Sequence, residues 1–227
     1  MIRVVVFDAY GTLFDVYSVS ALAEQLFPGQ GAALSVLWRD KQIEYSRLIS
    51  LSDPSASGSR HYEDFWDLTR YALDYACARL KLELTADKAQ QLLDQYAHLQ
   101  AFPENKGVLQ KLHARGIPCA ILSNGNAAML ESAVHSAGLA PYLDRVISVE
   151  TVRQFKTSPS SYALVQQHYP VEKSEVLFVS SNGWDALGAT WYGFRTFWVN
   201  RQNLPHETLG PPPTHTGADL SHVLTLL

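Results

Sequence analysis

The sequence has little of what marks several protein classes. Its 227 residues include only two cysteines, Cys77 and Cys119, one in a helical pattern and one in a strand-like run. That leaves no disulfide framework and points to two small buried apolar side chains. No apolar run approaches the roughly 20 residues that span a bilayer, so no membrane segment is expected. Eighteen Lys and Arg face 22 Asp and Glu, a formal charge of -4 with no basic block, which excludes a dedicated nucleic-acid binder. The eight histidines form no close pair at metal-ligand spacing, and none is expected to be catalytic. Met1–Phe7 runs straight into Asp8 without a longer apolar stretch or a small-residue cleavage site, and reads as the first core strand of a cytoplasmic protein. There is no internal repeat.

What the chain does have is enough apolar material, 47% of residues, for a buried core. Short β-branched or aromatic runs at Val4–Phe7, Cys119–Leu122, Val146–Val149, Val176–Val179 and Thr196–Val199 alternate with helical patterns. The expected fold is α/β, a doubly wound parallel sheet of Rossmann-like type. More than a hundred residues with no convincing strand separate the first two runs, too many for one crossover. Leu34, Leu37, Trp38, Lys41, Tyr45 and Leu48 keep helical spacing, as do Tyr62, Phe65, Trp66, Thr69, Leu73, Ala76 and Leu80, then Ala89, Leu92, Leu93 and Tyr96. The insert therefore reads as a helical-bundle cap over residues 16–98, with the core formed by 1–15 and 99–227. The turn formers of 52–59 read as a mobile loop, Pro103 as the opening of the next helix, and Pro211–Pro213 as the stiffening of a tail.

Sheets of this kind carry their chemistry just beyond the carboxyl ends of the strands. Asp8 follows the first run and precedes a Gly11 turn, a place where a carboxylate can be oriented as a nucleophile. Ser123 and Asn124 follow the second and lead into a helix, whose free N–H groups favour an anion. Lys156 precedes a helix opened by Pro159 and can hold a carboxylate ionised. Ser180, Ser181, Asn182 and Asp185 follow the fourth run, with Asp185 placed to pair with Lys156 or to orient water. Each feature alone has an ordinary reading as a cap, a turn former or a surface charge.

Together, in this order and with a helical insert after the first, the four segments resemble the haloacid dehalogenase superfamily over nearly the whole chain. Most members are magnesium-dependent phosphatases whose first motif reads Asp-x-Asp-x-Thr; here Tyr10 replaces the second acid and Ser181 replaces an acid of the fourth motif. Both departures, and the strings Phe7–Val16, Leu37–Arg39 with Lys41–Tyr45, Ile121–Gly125 and Phe178–Asp185, are similar to the L-2-haloacid dehalogenase branch. Thr157 stands where a proline often follows the motif lysine.

The resemblance implies a cofactor-free and metal-independent hydrolase for short 2-haloalkanoates, with water as second reactant and a homodimer as the assembly. Asp8 would displace halide by SN2 attack, and water would then hydrolyse the aspartyl ester to a D-2-hydroxy acid. Arg39 would stabilise the departing halide. The N–H groups of Ala9, Tyr10, Ser123 and Asn124, with the Ser123 hydroxyl, would bind the substrate carboxylate. Thr12 and Ser180 would orient Asp8 and Lys156, Asn182 and Asp185 would position water, and Tyr162 would bond within this network. Tyr10, Ile43, Phe65 and Trp184 would wall the alkyl group. A magnesium-dependent small-molecule phosphatase on the same fold is the alternative.

Overall fold

The computed structural model describes residues 1–55 and 57–227; Ala56, within the 52–59 turn stretch, lies outside them. Among the described residues β1 (Val4–Phe7), β2 (Cys119–Ser123), β3 (Arg145–Ser148), β4 (Val176–Ser180), β5 (Arg195–Val199) and β6 (His215–Gly217) form one parallel sheet in the order β3-β2-β1-β4-β5-β6. Every residue of β1, β2 and β4 is buried. Continuous apolar runs are what a parallel sheet covered on both faces requires, and each such side chain withdrawn from water contributes about 1.5–3 kcal/mol.

Strand order reverses beside β1, and ligands of such sheets bind at that switch point. The register makes the ends flush there: Phe7 pairs with Ile121 of β2 and Val179 of β4. Asp8, Ser123 and Ser180 consequently emerge at one edge.

Among the described residues, four helices fill the insert: α1 (Ser20–Leu26), α2 (Gly31–Ser52), α3 (Phe65–Arg79) and α4 (Ala86–Ala97). The core helices are α5 (Asn105–Ala114), α6 (Ala127–Ser136), α7 (Pro159–His168) and α8 (Gly183–Tyr192). Two helix caps form one of the contacts between insert and core. Asp64 accepts from the Asp67 N–H at the start of α3, Asn126 accepts from Met129 N–H at the start of α6, and the Asn126 amide donates to the Asp64 carboxylate at 3.1 Å.

Several local expectations change. Tyr62 keeps helical spacing but lies outside α3, because Asp64 takes an extended conformation and caps the helix behind it. Leu48 is exposed, while Gln42, Ile43 and Ser46 take the buried face of α2, so polar residues share that stripe. Val149 leaves β3 for a short 3-10 turn, and Pro103 sits in the turn ahead of α5. The tail after Pro213 is more than a stiff end: its His215–Gly217 segment adds the edge strand β6. Both cysteines are unpaired and buried, and burial pushes their thiols up, Cys77 to about 11 and Cys119 to about 12.

Candidate active site

The chain leaves β1 through a tight turn in which the Ala9 carbonyl accepts from the N–H groups of Thr12, Leu13 and Phe14. Gly11 makes the turn possible with φ of +95°, a conformation costly for any side chain, and packs so close that a Cβ there would touch Asn182 and Ser181 at 3.4 Å. The turn returns the Thr12 hydroxyl to Asp8, where it donates to Oδ2 at 3.0 Å. The Asn182 amide donates to the same oxygen at 2.8 Å and the Ser180 hydroxyl at 3.4 Å. Asn182 stands at the N-terminus of α8, yet its side chain caps nothing there and is committed to Asp8 and the Tyr10 carbonyl instead.

The other Asp8 oxygen faces Lys156. The ammonium lies 3.0 Å from Asp8 Oδ1 and 3.0 Å from Asp185 Oδ2, and all three residues are buried. Lys156 comes from the segment before α7, where its N–H donates to the Asn124 side-chain oxygen at 2.9 Å and its peptide bond to Thr157 is cis. Asp185, in the first turn of α8, also accepts from the Tyr162 hydroxyl at 2.7 Å. Gly188 keeps α8 close to Tyr162, since a Cβ there would fall 2.6 Å from the hydroxyl.

One cation between two buried carboxylates leaves a net negative charge, and the proton affinities follow. Burial pushes the Lys156 ammonium down, but the charges of Asp185 and Asp8 outweigh it and hold its pKa above the ordinary lysine value. Burial lifts Asp185 to about 6, with the Asp8 charge adding to it and Lys156 opposing it. Tyr162 is pushed well above its usual value by burial and by Asp185, so it stays a hydrogen-bond donor.

Arg39 reaches in from α2. Its Nη2 donates to the Tyr10 carbonyl at 3.1 Å and to Asn182 Oδ1 at 3.4 Å, and its Nη1 donates to Gln42 Oε1 at 2.6 Å. It lines an open cleft of about 830 Å³ with Gly11, Ile43, Asn182 and Trp184. Tyr10 stacks on Tyr96 with ring centroids 5.9 Å apart and tilts against Phe65 at 6.1 Å. Phe65 is fully buried and also meets Phe155, whereas Trp184 is half-buried beneath the Arg47 guanidinium. Ser123 Oγ accepts from the Gly125 N–H at 3.1 Å, which leaves its own proton free. The N–H groups of Ala9, Tyr10 and Asn124 donate to no protein acceptor among the described residues. The structure thus gathers Asp8, Thr12, Lys156, Tyr162, Ser180, Asn182 and Asp185 into one network, with Arg39 on its outer side through Asn182.

Four further residues support this arrangement. Ser181 donates its N–H to Thr12 Oγ1 at 2.8 Å and its hydroxyl to the Gly11 carbonyl. Asn105 donates to the Leu13 carbonyl at 2.7 Å, and Arg201 to the Thr12 carbonyl at 3.3 Å, pinning the turn from below. Gln42 holds Arg39. Ser181 is among the strand-end residues that the sequence singles out, and Gln42 lies one helical turn after Arg39 on the same face; Asn105 and Arg201 act on backbone carbonyls that side-chain type does not reveal.

A family model for haloacid dehalogenase-like hydrolase matches residues 2–193. Among curated relatives, (S)-2-haloacid dehalogenase 2 of Pseudomonas sp. (strain CBS-3) is 41% identical, covering 100% of this chain and 96% of its own. The crystal structure of the L-2-haloacid dehalogenase RSc1362 superposes with a TM-score of 0.96 at 56% identity, covering 99% and 98% of the two chains. That of the Xanthobacter autotrophicus L-2-haloacid dehalogenase with chloropropionic acid covalently bound matches with a TM-score of 0.89 at 38% identity, over 100% and 98%. With matches of this extent, the chain belongs to the haloacid dehalogenase-like hydrolases.

Proposed function

We propose that the protein hydrolyses short L-2-haloalkanoates to D-2-hydroxy acids and halide through an ester on Asp8. The observation that carries the reading is the Asp8 carboxylate itself, buried at a strand tip between Lys156 and the donors Thr12, Asn182 and Ser180. A carboxylate is a weak nucleophile in water, and one withdrawn from water and fixed in direction loses that handicap. The chloropropionic acid covalently bound in the Xanthobacter autotrophicus enzyme supports a covalent attack on a substrate of this class.

The mechanism follows from the positions. The substrate carboxylate docks on the free N–H groups of Ala9, Tyr10 and Asn124 and on the Ser123 hydroxyl, which supply an anion site without a full charge. An Asp8 oxygen attacks C2 from the side opposite the halogen. The C–O bond forms as the carbon–halogen bond breaks, the halide takes the electron pair, and Arg39 stabilises it. Water then attacks Cγ of Asp8, positioned by Asn182 and Asp185. Asp185 takes one proton from the attacking water; as the tetrahedral intermediate collapses the second proton of that water passes to the leaving alkoxide oxygen, giving the hydroxy acid and free Asp8, and the proton on Asp185 is released to solvent. Esterification removes the Asp8 charge, one of the groups raising Asp185, so Asp185 ionises more readily when it has to act on water. Lys156 balances one of the two charges in the free enzyme and forms a neutral pair with Asp185 in the ester, and Tyr10, Ile43, Phe65 and Trp184 wall the alkyl group. We assign residues 1–15 and 99–227 to the core and 16–98 to the cap.

The direct test is incubation with S-2-chloropropionate in the presence of EDTA. Chloride and D-lactate in equal amounts are expected. No chloride, with magnesium-dependent hydrolysis of p-nitrophenyl phosphate instead, would turn the assignment to a phosphatase.

The triad also sets a pH dependence. Below about 6 Asp185 takes up a proton in the free enzyme, which leaves Lys156 pulling on the Asp8 carboxylate alone and blunts it as a nucleophile. The value of kcat/KM should fall with an acid limb near 6, while kcat, which also reports the ester state, falls at lower pH. Coincident acid limbs would contradict the charge coupling. Two unpaired thiols suit a reducing, cytoplasmic setting. The exposed apolar side chains Val36, Leu48, Leu51, Tyr71 and Tyr75 on α2 and α3 suit a homodimer.

A further inference from the structure

Arg39 is only as useful as its direction, because a free arginine side chain samples many rotamers and holding one has an entropic cost. The structure supplies a holder in Gln42, a fully buried glutamine at the centre of a polar network between three cap helices. Gln42 Oε1 accepts from Arg39 Nη1 at 2.6 Å. Gln42 Nε2 donates to Thr69 Oγ1 on α3 at 2.6 Å and lies 3.1 Å from the hydroxyl of Tyr96 on α4.

Proton bookkeeping fixes the amide at both ends. The Thr69 hydroxyl spends its proton on the Phe65 carbonyl at 2.7 Å, so towards Gln42 it accepts, and the amide must present its NH2 group there. At the other end the guanidinium has only donors, so the amide must present oxygen. A buried amide satisfied in one orientation is a rigid support, and inverting it would leave two donors facing each other at Arg39 and two acceptors at Thr69.

We infer that Gln42, braced by Thr69 and Tyr96, is a positioning residue that aims the Arg39 guanidinium at the departing halide. This rests on the dehalogenase reading and deepens it. Chloride is the poorer leaving group and needs more charge stabilisation than bromide as the bond breaks. A loss of aim in Arg39 therefore weighs more on chloro than on bromo substrates, whereas a general loosening of the cap weighs on both alike.

The experiment compares kcat/KM for S-2-chloropropionate and S-2-bromopropionate in the wild type, Gln42→Met and Thr69→Val, and in Gln42→Met made in an Arg39→Ala background. The methionine keeps the volume and removes the hydrogen bonds; the valine leaves Gln42 in place and removes one brace. Gln42→Met should lose roughly 10-fold or more on the chloro substrate and several-fold less on the bromo substrate. Thr69→Val should move the ratio the same way by a smaller factor, and this variant decides the matter if Gln42→Met does not fold. Once Arg39 is replaced by alanine, Gln42→Met should cost little more, because the group it acts through is gone. Equal losses on both halides, or a full additional loss in the Arg39→Ala background, would overturn the role of Gln42. A wild type that releases neither halide would refute the dehalogenase reading instead.

Discussion

Replacing Asp8 by asparagine is expected to abolish halide release, with a loss on the order of 10⁴- to 10⁶-fold, the scale seen when a covalent nucleophile is removed. The substitution is nearly isosteric. The amide oxygen can still accept from Thr12 and Asn182, which both point at Asp8 Oδ2, so the turn after β1 should keep its shape, while the amide NH2 replaces the oxygen that faced Lys156 and pushes the ammonium towards Asp185. What disappears is the negative charge that attacks carbon. Its loss also leaves Lys156 with a single carboxylate partner, Asp185, and turns a triad of net charge -1 into a neutral ion pair. The variant should therefore fold, with a melting temperature near that of the wild type, because relief of the like-charge repulsion between Asp8 and Asp185 offsets the lost contact to Lys156. Intact-mass measurement must accompany the assay, because deamidation of the introduced asparagine would restore the nucleophile. Substantial turnover by a variant proven to keep its amide would place the nucleophile elsewhere.

The site is legible in the sequence because its parts occupy positions set by the fold. Parallel strands buried on both faces must be apolar throughout, so the residues at which Val4–Phe7, Cys119–Ser123 and Val176–Ser180 give way to polar side chains mark the strand tips. The flush register then brings Asp8, Ser123 and Ser180 together with no information beyond pattern. Strand β6 is hidden for the opposite reason. Its His-Thr-Gly sequence has no apolar run, and it is held by pairing with β5 at an edge where its side chains stay exposed. Periodicity misplaces the start of α3 because it continues through Tyr62 while the cap at Asp64 interrupts the backbone. Gln42 does not stand out as a binding element because a glutamine on a helix is ordinarily a solvated residue. Its burial depends on Thr69 and Tyr96 arriving from two other helices, which no local pattern encodes.

The second large effect concerns the cation. Lys156→Met should lose activity nearly as completely as Asp8→Asn, and unlike it should destabilise the fold by about 3–5 kcal/mol, the scale for removing one partner of a buried ion pair. Methionine fills the space of the lysine stem but leaves Asp8 and Asp185 facing each other without the ammonium that lies 3.0 Å from each. Two carboxylates so placed cannot both stay ionised out of water, so one takes up a proton. The folded variant would then hold a carboxyl whose pKa lies above its unfolded value and bind more protons than the unfolded chain across the range between the two. Stability must fall as pH rises through that range and recover as pH falls. The melting-temperature deficit of Lys156→Met against the wild type should accordingly be larger at about pH 8 than at about pH 5. A deficit of equal size at both values would mean that lost packing around Phe178, and not the unpaired charge, accounts for the damage. Restoring a cation as Lys156→Arg should rescue little, because a planar guanidinium cannot occupy the point between the two carboxylates where the compact ammonium sits.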